Sequence, residues 1–122
     1  MIFGIGTDII EIERVKKAVE RNPKFLEKMF TEREIEFLKS RNLKSETVAG
    51  SFSAKEAISK ALGTGIRGFA FSDIEVLRDS LGKPEVILSD KITKLMNKNL
   101  KVKVSISHNN DSAIAFAVIE EE

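Results

Sequence analysis

The sequence predicts an α+β fold in which a mainly antiparallel sheet packs on a long helix. Two observations favour this class. Short β-branched runs alternate with turn residues, and the segments 79–82 and 109–111 are typical of hairpin turns. Residues 45–62 carry the pattern of a buried helix, which Gly63 ends. With 122 residues, the chain is long enough for one domain, 1–122, with a real core.

The first predicted element is a strand over residues 2–12. Both of its faces are largely apolar, so we expect the strand to be well buried. Gly4 and Gly6 on one face indicate that another chain segment comes close. Asp8 shares that face, near the end of the strand.

The later elements follow from caps and turns. Residues 13–21 predict a short basic helix that Asn22-Pro23 ends, and Thr31 with Glu34 forms a capping box for a helix to about residue 41. The remaining predicted elements are a hairpin of strands 71–78 and 84–88, a helix over 90–97 and a hairpin of strands 102–108 and 113–120.

Composition excludes several classes of protein. The formal net charge of +1 is far from that of a dedicated nucleic-acid binder. No cysteine is present, so a disulfide framework, a thiolate zinc site and a cysteine nucleophile are excluded. No apolar run reaches membrane-spanning length. We therefore expect a cytoplasmic protein without nucleic-acid or membrane partners.

The long helix carries charges where apolar side chains are expected. At about 100° per residue, Glu56 falls between Ala49 and Phe52. Lys55 also falls on an apolar face, and Lys60 lies one turn beyond Glu56. A carboxylate on an apolar face is costly unless a cation meets it. A surface Glu–Lys pair is the ordinary alternative, but such pairs belong on a polar face.

Asp8 and Glu56 together suggest two carboxylates that meet where the first strand contacts the long helix. Asp8 taken alone is equally well a turn cap. Two carboxylates without cysteine suit a hard cation, Mg²⁺ rather than Zn²⁺. Lys60 would then stabilise charge on a substrate phosphate.

Three other features have both an ordinary and a functional interpretation. The glycine-rich segment 63–68 follows a helix, so it is a helix stop or a place where backbone approaches a ligand. His108, the one histidine, is a structural residue or a donor to phosphate. Residues 14–28 hold six basic and two acidic side chains, which form a solvated face, dock an acidic partner helix with Phe25 as anchor, or bind RNA.

Three motifs together resemble the holo-[acyl-carrier-protein] synthase family, the short bacterial type of 4′-phosphopantetheinyl transferase. They are GIGTDIIEIER at 4–14, FSAKEAISKALGTG at 52–65 and SISH at 105–108. Length and element order also agree, so the resemblance covers nearly the whole chain. The first two motifs at this separation are specific, and the third adds modest weight.

The resemblance implies transfer of phosphopantetheine from coenzyme A to a serine of apo acyl carrier protein, in support of fatty acid biosynthesis. Adenosine 3′,5′-bisphosphate is the leaving group. The implied catalytic residues are Glu56, Lys60 and Asp8, of which Asp8 and Glu56 hold Mg²⁺. The implied coenzyme A contacts are Lys60, Gly63, Gly65, Pro84 and His108. The implied carrier-protein contacts are Arg14, Arg21 and Phe25. A water on the metal, Glu56 or Asp8 would take the serine proton.

The resemblance also implies a homotrimer with active sites between subunits, so that Asp8 and His108 would face Glu56 of a neighbouring subunit. Ser51 departs from the family, which commonly has arginine there, so an arginine–phosphate contact to coenzyme A is either missing or supplied by Arg67 or Lys44. Lys55 would orient the helix or reach coenzyme A from its rim. A binding module without catalytic activity remains the alternative to the transferase.

Overall fold

Five strands and five α-helices make up the described part of the chain, residues 1–63 and 67–122 of a computed structural model. The strands are β1 (Ile2–Glu11), β2 (Ile74–Arg78), β3 (Pro84–Leu88), β4 (Leu100–His108) and β5 (Ser112–Glu121). The helices are α1 (Ile12–Arg21), α2 (Phe25–Met29), α3 (Glu32–Ser40), α4 (Ser45–Leu62) and α5 (Asp90–Met96). A 3-10 turn, Phe71–Asp73, precedes β2.

The strands form two antiparallel sheets. The larger sheet has the order β1-β5-β4, and the hairpin of β2 and β3 forms the smaller one. Asp8 lies opposite Ala115, and Thr7 lies opposite Phe116. Helix α4 packs across one face of the larger sheet, where the alanines of β5 are buried. The sheet and the long helix thus agree with the predicted class.

Gly4 and Gly6 allow β1 to lie directly on the backbone of α4. A Cβ atom at Gly4 would overlap the carbonyl oxygen of Ala61, and one at Gly6 would overlap that of Ala57. The predicted close approach is therefore confirmed. This contact brings Asp8, two residues beyond Gly6, against the middle of α4.

The core consists of two apolar clusters on either side of α4. One cluster joins α4 to the larger sheet, β2 and α5, and contains Ile58, Ile74 and Ile119. The other joins α4 to α1, α2 and α3, and contains Val15 and Leu38. Because α4 contributes to both clusters, twelve of its eighteen residues are buried.

Burial of β1 on both faces is wrong for this single chain. Ile5 and Ile9 remain 61% and 69% exposed, because their side chains lie on the face of the sheet opposite α4. Two smaller differences concern local structure. The segment after Pro23 contains α2, which no pattern predicted, and the predicted strand from Phe71 begins only at Ile74.

None of the helices in the described residues combines the length and the apolar character that crossing a membrane requires.

Candidate active site

One cavity brings together the three predicted catalytic residues. Asp8 on β1 and Glu56 and Lys60 on α4 line a cavity of about 390 Å³. Arg14 of α1 and Phe25 of α2 line the same cavity. The strand therefore contributes one carboxylate and the helix contributes the other. Arg14 and Phe25 add a basic and an aromatic side chain to the lining.

The carboxylate of Asp8 is fixed from two sides. The Ser53 hydroxyl donates to Oδ2 of Asp8 at 2.9 Å, and Nζ of Lys60 lies 3.3 Å from Oδ1. Ser53 is fully buried, whereas the Asp8 side chain remains 13% exposed. One edge of the Asp8 carboxylate therefore reaches the cavity with a defined orientation.

Lys60 is anchored to β1 but remains available to a ligand. Its Nζ donates to the carbonyl oxygen of Thr7 at 3.0 Å, and its side chain is 55% exposed. An ammonium group has three donors, and two are directed to β1. The third can donate to an anion in the cavity.

Glu56 lies in a setting that disfavours its charge. Burial raises the pKa of the Glu56 carboxyl above its ordinary value, the neighbouring Asp8 raises it further, and Lys60 lowers it. No lysine or arginine in residues 1–63 and 67–122 forms an ion pair with it. A cation between the two carboxylates would relieve their repulsion.

The donor set suits a magnesium ion that keeps open positions. In the part of the chain that the structure describes, no group of three His, Cys, Asp or Glu side chains could hold a metal. Two carboxylates and no soft ligand match Mg²⁺, which is commonly held by one or two carboxylates together with substrate phosphate. Asp8 and Glu56 therefore fit the predicted ion.

Pro84 and His108 lie at a different cavity, of about 520 Å³. Arg41, Arg78 and Lys83 line it as well, so four side chains that carry or can carry positive charge converge there. Asp8 and Glu56 line one cavity within the single chain, and their placement against a neighbouring subunit stays a prediction. His108 shares no cavity with Glu56 in the single chain.

Two guanidinium groups in this second cavity stack on one aromatic ring. The Cζ atoms of Arg41 and Arg78 lie 5.4 and 5.1 Å from the centre of the Phe37 ring. Burial lowers the pKa of Arg78, and Arg41 lowers it further. An anion would offset the repulsion between them.

Ser51, where the family commonly has arginine, cannot contact a phosphate. Its side chain is 2% exposed, and its hydroxyl has no hydrogen-bond partner among the described residues. Gly50 beside it lines the second cavity together with Arg41 and Arg78. These two arginines are the guanidinium groups at that cavity, whereas the sequence pointed to Arg67 or Lys44.

The other predicted residues occupy the ends of helices. Gly63 ends α4 with φ +83°, a left-handed conformation that glycine adopts without strain. Gly65 lies outside the described residues. Arg21 is the exposed last residue of α1, beyond the lining of the Asp8–Glu56 cavity.

Lys55 does not reach a ligand. Its side chain is fully buried and forms an ion pair with Glu34, at 2.6 Å between Nζ and Oε1. The expectation that it contacts coenzyme A from the rim is therefore wrong, because the ammonium group of Lys55 is bonded inside the protein, about 100° around α4 from Glu56.

Ser53 and the pair Arg41–Arg78 were not predicted. A signal for Ser53 was present, because residues 53, 56 and 60 recur at i, i+3 and i+7 and share one helical face. The two arginines are 37 positions apart on α3's end and β2, so nothing local in the sequence connects them.

The fold and site define the class of protein, an α+β enzyme suited to transfer of a phosphate-bearing group. The model of the 4′-phosphopantetheinyl transferase superfamily matches residues 4–117. The chain therefore belongs to this superfamily, and the predicted family and fold class are confirmed.

Similar proteins carry a more specific name. A holo-[acyl-carrier-protein] synthase of Clostridium perfringens (strain 13) is 60% identical and covers 100% of this chain and 96% of its own length. A synthase of the same name from Clostridium botulinum (strain Alaska E43) is 60% identical, with 98% of both chains covered.

Solved structures of the same kind superpose on nearly the whole chain. The Bacillus anthracis synthase, in complex with CoA (3′,5′-ADP), has a TM-score of 0.85 and 44% identity and covers 100% of this chain and 99% of its own. The Helicobacter pylori synthase, in complex with coenzyme A, has a TM-score of 0.85 and 38% identity, covering 95% and 99%.

Proposed function

We propose that this protein transfers 4′-phosphopantetheine from coenzyme A to a serine of apo acyl carrier protein, with Mg²⁺ as cofactor. The observation that carries the proposal is the convergence of Asp8, Glu56 and Lys60 on one cavity that Arg14 and Phe25 also line. The names and the coenzyme A complexes of similar proteins support the same reaction.

The reaction breaks a phosphoanhydride bond of coenzyme A and forms a phosphodiester bond to serine. The serine oxygen attacks the phosphorus that carries pantetheine, and the bond from that phosphorus to the bridging pyrophosphate oxygen breaks. Adenosine 3′,5′-bisphosphate leaves with the bridging oxygen, and the serine proton passes to a base. Such a transfer depends mainly on positioning and charge stabilisation.

The residues of the Asp8–Glu56 cavity match these needs. Asp8 and Glu56 would hold Mg²⁺, which when bound neutralises pyrophosphate charge. Lys60 directs its free donor at the phosphate, while its bonds to Thr7 and Asp8 keep it in place. The serine proton would pass to a water on the metal, to Glu56 or to Asp8.

The basic wall of the same cavity is the proposed docking surface for the carrier. Arg14 lies at the cavity and Arg21 extends the basic surface of α1 to its end. Phe25, partly buried, offers an apolar anchor beside them. A basic surface with an apolar anchor suits an acidic helix, and its contribution should weaken with added salt.

The second cavity is the proposed site for the phosphorylated adenosine end of coenzyme A. Pro84 and His108, which the family resemblance links to coenzyme A, both line it. Arg41 and Arg78 supply paired guanidinium groups, which bind phosphate well because each presents a planar fork of donors. Gly63 and Gly65 belong to the proposed coenzyme A contacts as well.

The exposed face of the larger sheet supports the proposed homotrimer. Ile5, Ile9, Ile114 and Phe116 are each at least 45% exposed, and Ile9 pairs with Ile114 across the strands. A contiguous apolar face of this kind is typical of an interface. A cavity of about 430 Å³ on this face includes Asp8, Lys60 and Phe116, so a second copy there would complete the site from outside.

The proposed setting is the cytoplasm, where the modified carrier would serve fatty acid biosynthesis.

Mass measurement of the carrier tests the proposal. The protein is incubated with coenzyme A, Mg²⁺ and apo acyl carrier protein, and the carrier is weighed for the added phosphopantetheine. Glu56→Gln should lower the transfer rate by at least about a hundredfold, because it removes a charge that acts on the transferred group. Glu36→Gln, the same change at an exposed position on α3, should transfer at the unaltered rate.

A carrier that stays unmodified across several apo carrier proteins would count against the transferase. Binding of coenzyme A without turnover would favour the non-catalytic module instead. Equal rates for Glu56→Gln and the unaltered protein would remove Glu56 from the reaction.

A further inference from the structure

The ammonium group of Lys55 has all of its donors satisfied inside the protein. Its Nζ lies 2.6 Å from Oε1 of Glu34, and it donates to the carbonyl oxygens of Met29 at 2.7 Å and Phe71 at 2.9 Å. Nζ also lies 5.1 Å from the centre of the Phe30 ring. One side chain of α4 thereby holds the end of α2, the start of α3 and the 3-10 turn.

Glu34 completes the network from the other side. Its Oε1 accepts from the backbone N–H of Thr31 at 2.9 Å, which closes the capping box of α3. Its Oε2 accepts from the backbone N–H of Val76 on β2, also at 2.9 Å. Both oxygens are occupied, and the side chain is 2% exposed. No part of this network is available to a ligand.

The network lies directly behind the wall of the Asp8–Glu56 cavity. Phe25 and Phe52, which line that cavity, have ring centres 5.9 Å apart, and Phe52 stacks on Phe71 at 5.6 Å. Phe71 and Met29 are the residues whose carbonyl groups Lys55 binds. The ion pair therefore holds the backbone at Met29 and Phe71, next to the aromatic rings of Phe25 and Phe52 that line the cavity.

Helix α2 depends on such support. It has five residues, and an isolated helix of that length is not stable in water. A buried cation at its C-terminal carbonyl favours the helix and fixes its end. A buried ion pair contributes little net stability compared with apolar residues of the same size. The role that the pair suits is therefore to fix the position of the segments that it joins.

We propose that the Lys55–Glu34 pair is a positioning element that sets the place of α2, and with it Phe25, for docking of the acyl carrier protein. Lys55 touches neither substrate. The inference rests on the proposed function, since it names how the carrier-facing wall of that same site is held.

Steady-state kinetics with both substrates separate positioning from stability. Lys55→Met should raise KM for the apo carrier by about tenfold, because displaced docking groups lose binding. KM for coenzyme A should change by less than about twofold, since Pro84 and His108 lie at a different cavity. A loss of active protein alone would lower the rate and leave both KM values unchanged, and that result would overturn the proposal.

The double variant Lys55→Met/Glu34→Gln sharpens the comparison. It removes both buried charges, so its melting temperature should recover most of what Lys55→Met loses. KM for the carrier should stay raised, because the carbonyl groups of Met29 and Phe71 still lack their donor. Recovery of KM together with stability would show that the pair acts only through stability.

Restoring the ammonium group provides a direct rescue, because the chain has no native cysteine. Lys55→Cys, alkylated with 2-bromoethylamine in denaturant and then refolded, carries a lysine analogue at that position alone. Alkylation with iodoacetamide gives a neutral control of similar length. The amine should restore KM for the carrier and the amide should not; equal KM values for the two would count against the proposal.

Hydrogen exchange makes the inference testable without turnover. The backbone amides of residues 25–30 should exchange at least about tenfold faster in Lys55→Met, because local opening of α2 becomes easier. Absence of transfer by the unaltered protein would refute the proposed function. Unchanged exchange in α2 would refute the positioning role whether or not transfer occurs.

Discussion

Replacing Gly6 with alanine puts a methyl group into the contact between β1 and α4. An added Cβ would overlap the carbonyl oxygen of Ala57 and lie 2.8 Å from the backbone nitrogen of Ala61. Both atoms belong to the backbone of a buried helix, so no side-chain rotation can relieve the clash. The strand and the helix must move apart.

The expected cost follows from this geometry. Overpacking of a core typically costs about 1–3 kcal/mol, and a clash between two backbones belongs at the upper end, about 3 kcal/mol. For a chain of 122 residues, the entropy of unfolding is about 0.26 kcal/mol/K, so the melting temperature should fall by about 12 °C. Separation of β1 from α4 also moves Asp8 away from Ser53 and Lys60.

Thermal unfolding by circular dichroism measures the loss, and the transfer assay at a temperature where the variant is folded measures the displaced site. Gly50→Ala is the matched control, because its Cβ would meet one side-chain methyl group, Cγ2 of Ile106, at 3.0 Å and no backbone atom of another element. The control should stay within about 1 kcal/mol of the unaltered protein, since the gain in helix propensity offsets the tight contact. A Gly6→Ala protein with the same melting temperature as the Gly50→Ala control would refute the argument.

Three further predictions concern the carboxylates and the open face of the sheet. Ser53→Ala should weaken Mn²⁺ binding by about tenfold, because Asp8 loses the donor that orients it; calorimetry without substrates measures this, and unchanged affinity would dismiss the role. The raised pKa of Glu56 means that the folded state binds the proton more tightly than the unfolded state. With a chelator present, the melting temperature of the unaltered protein should therefore fall relative to that of Glu56→Gln as the pH rises from 4.5 through the pKa of Glu56 in the folded state. Melting temperatures of the two proteins that change in parallel with pH would contradict this. Phe116→Lys should yield monomers in light scattering, because it places a charge on the apolar sheet face, and an intact trimer would reject that face as the interface.

The positions that the sequence predicted well are those with a local cause. Gly4 and Gly6 predict a close contact between two backbones, because only a residue without a side chain fits there. Thr31 and Glu34 mark a helix start because the two bond each other within one turn. The periodicity of α4 placed Glu56 on an unusual face, and the contact with β1 then placed Asp8 beside it.

The features that sequence could not predict depend on partners distant along the chain. The capping role of Glu34 was evident, but its ion pair with Lys55 joins residues 21 positions apart through the interior. Arg41 and Arg78 meet only because α3 and β2 pack together. The open face of β1 escaped prediction for a different reason, since its apolar pattern is the same whether α4 or another molecule covers it.

The adjacent charges Lys55 and Glu56 show how one helix serves both the interior and the site. A step of about 100° sends Lys55 into a closed network of carbonyl and carboxylate oxygens, while Glu56 opens on a cavity. Lys55 has its counter-charge inside the fold, so its burial is compensated whether or not a ligand is present. Glu56 faces another carboxylate instead, and the nearby Lys60 offsets its charge only in part because it already bonds Thr7 and Asp8. The fold thus leaves only partly compensated the one charge of the two that the proposed reaction requires.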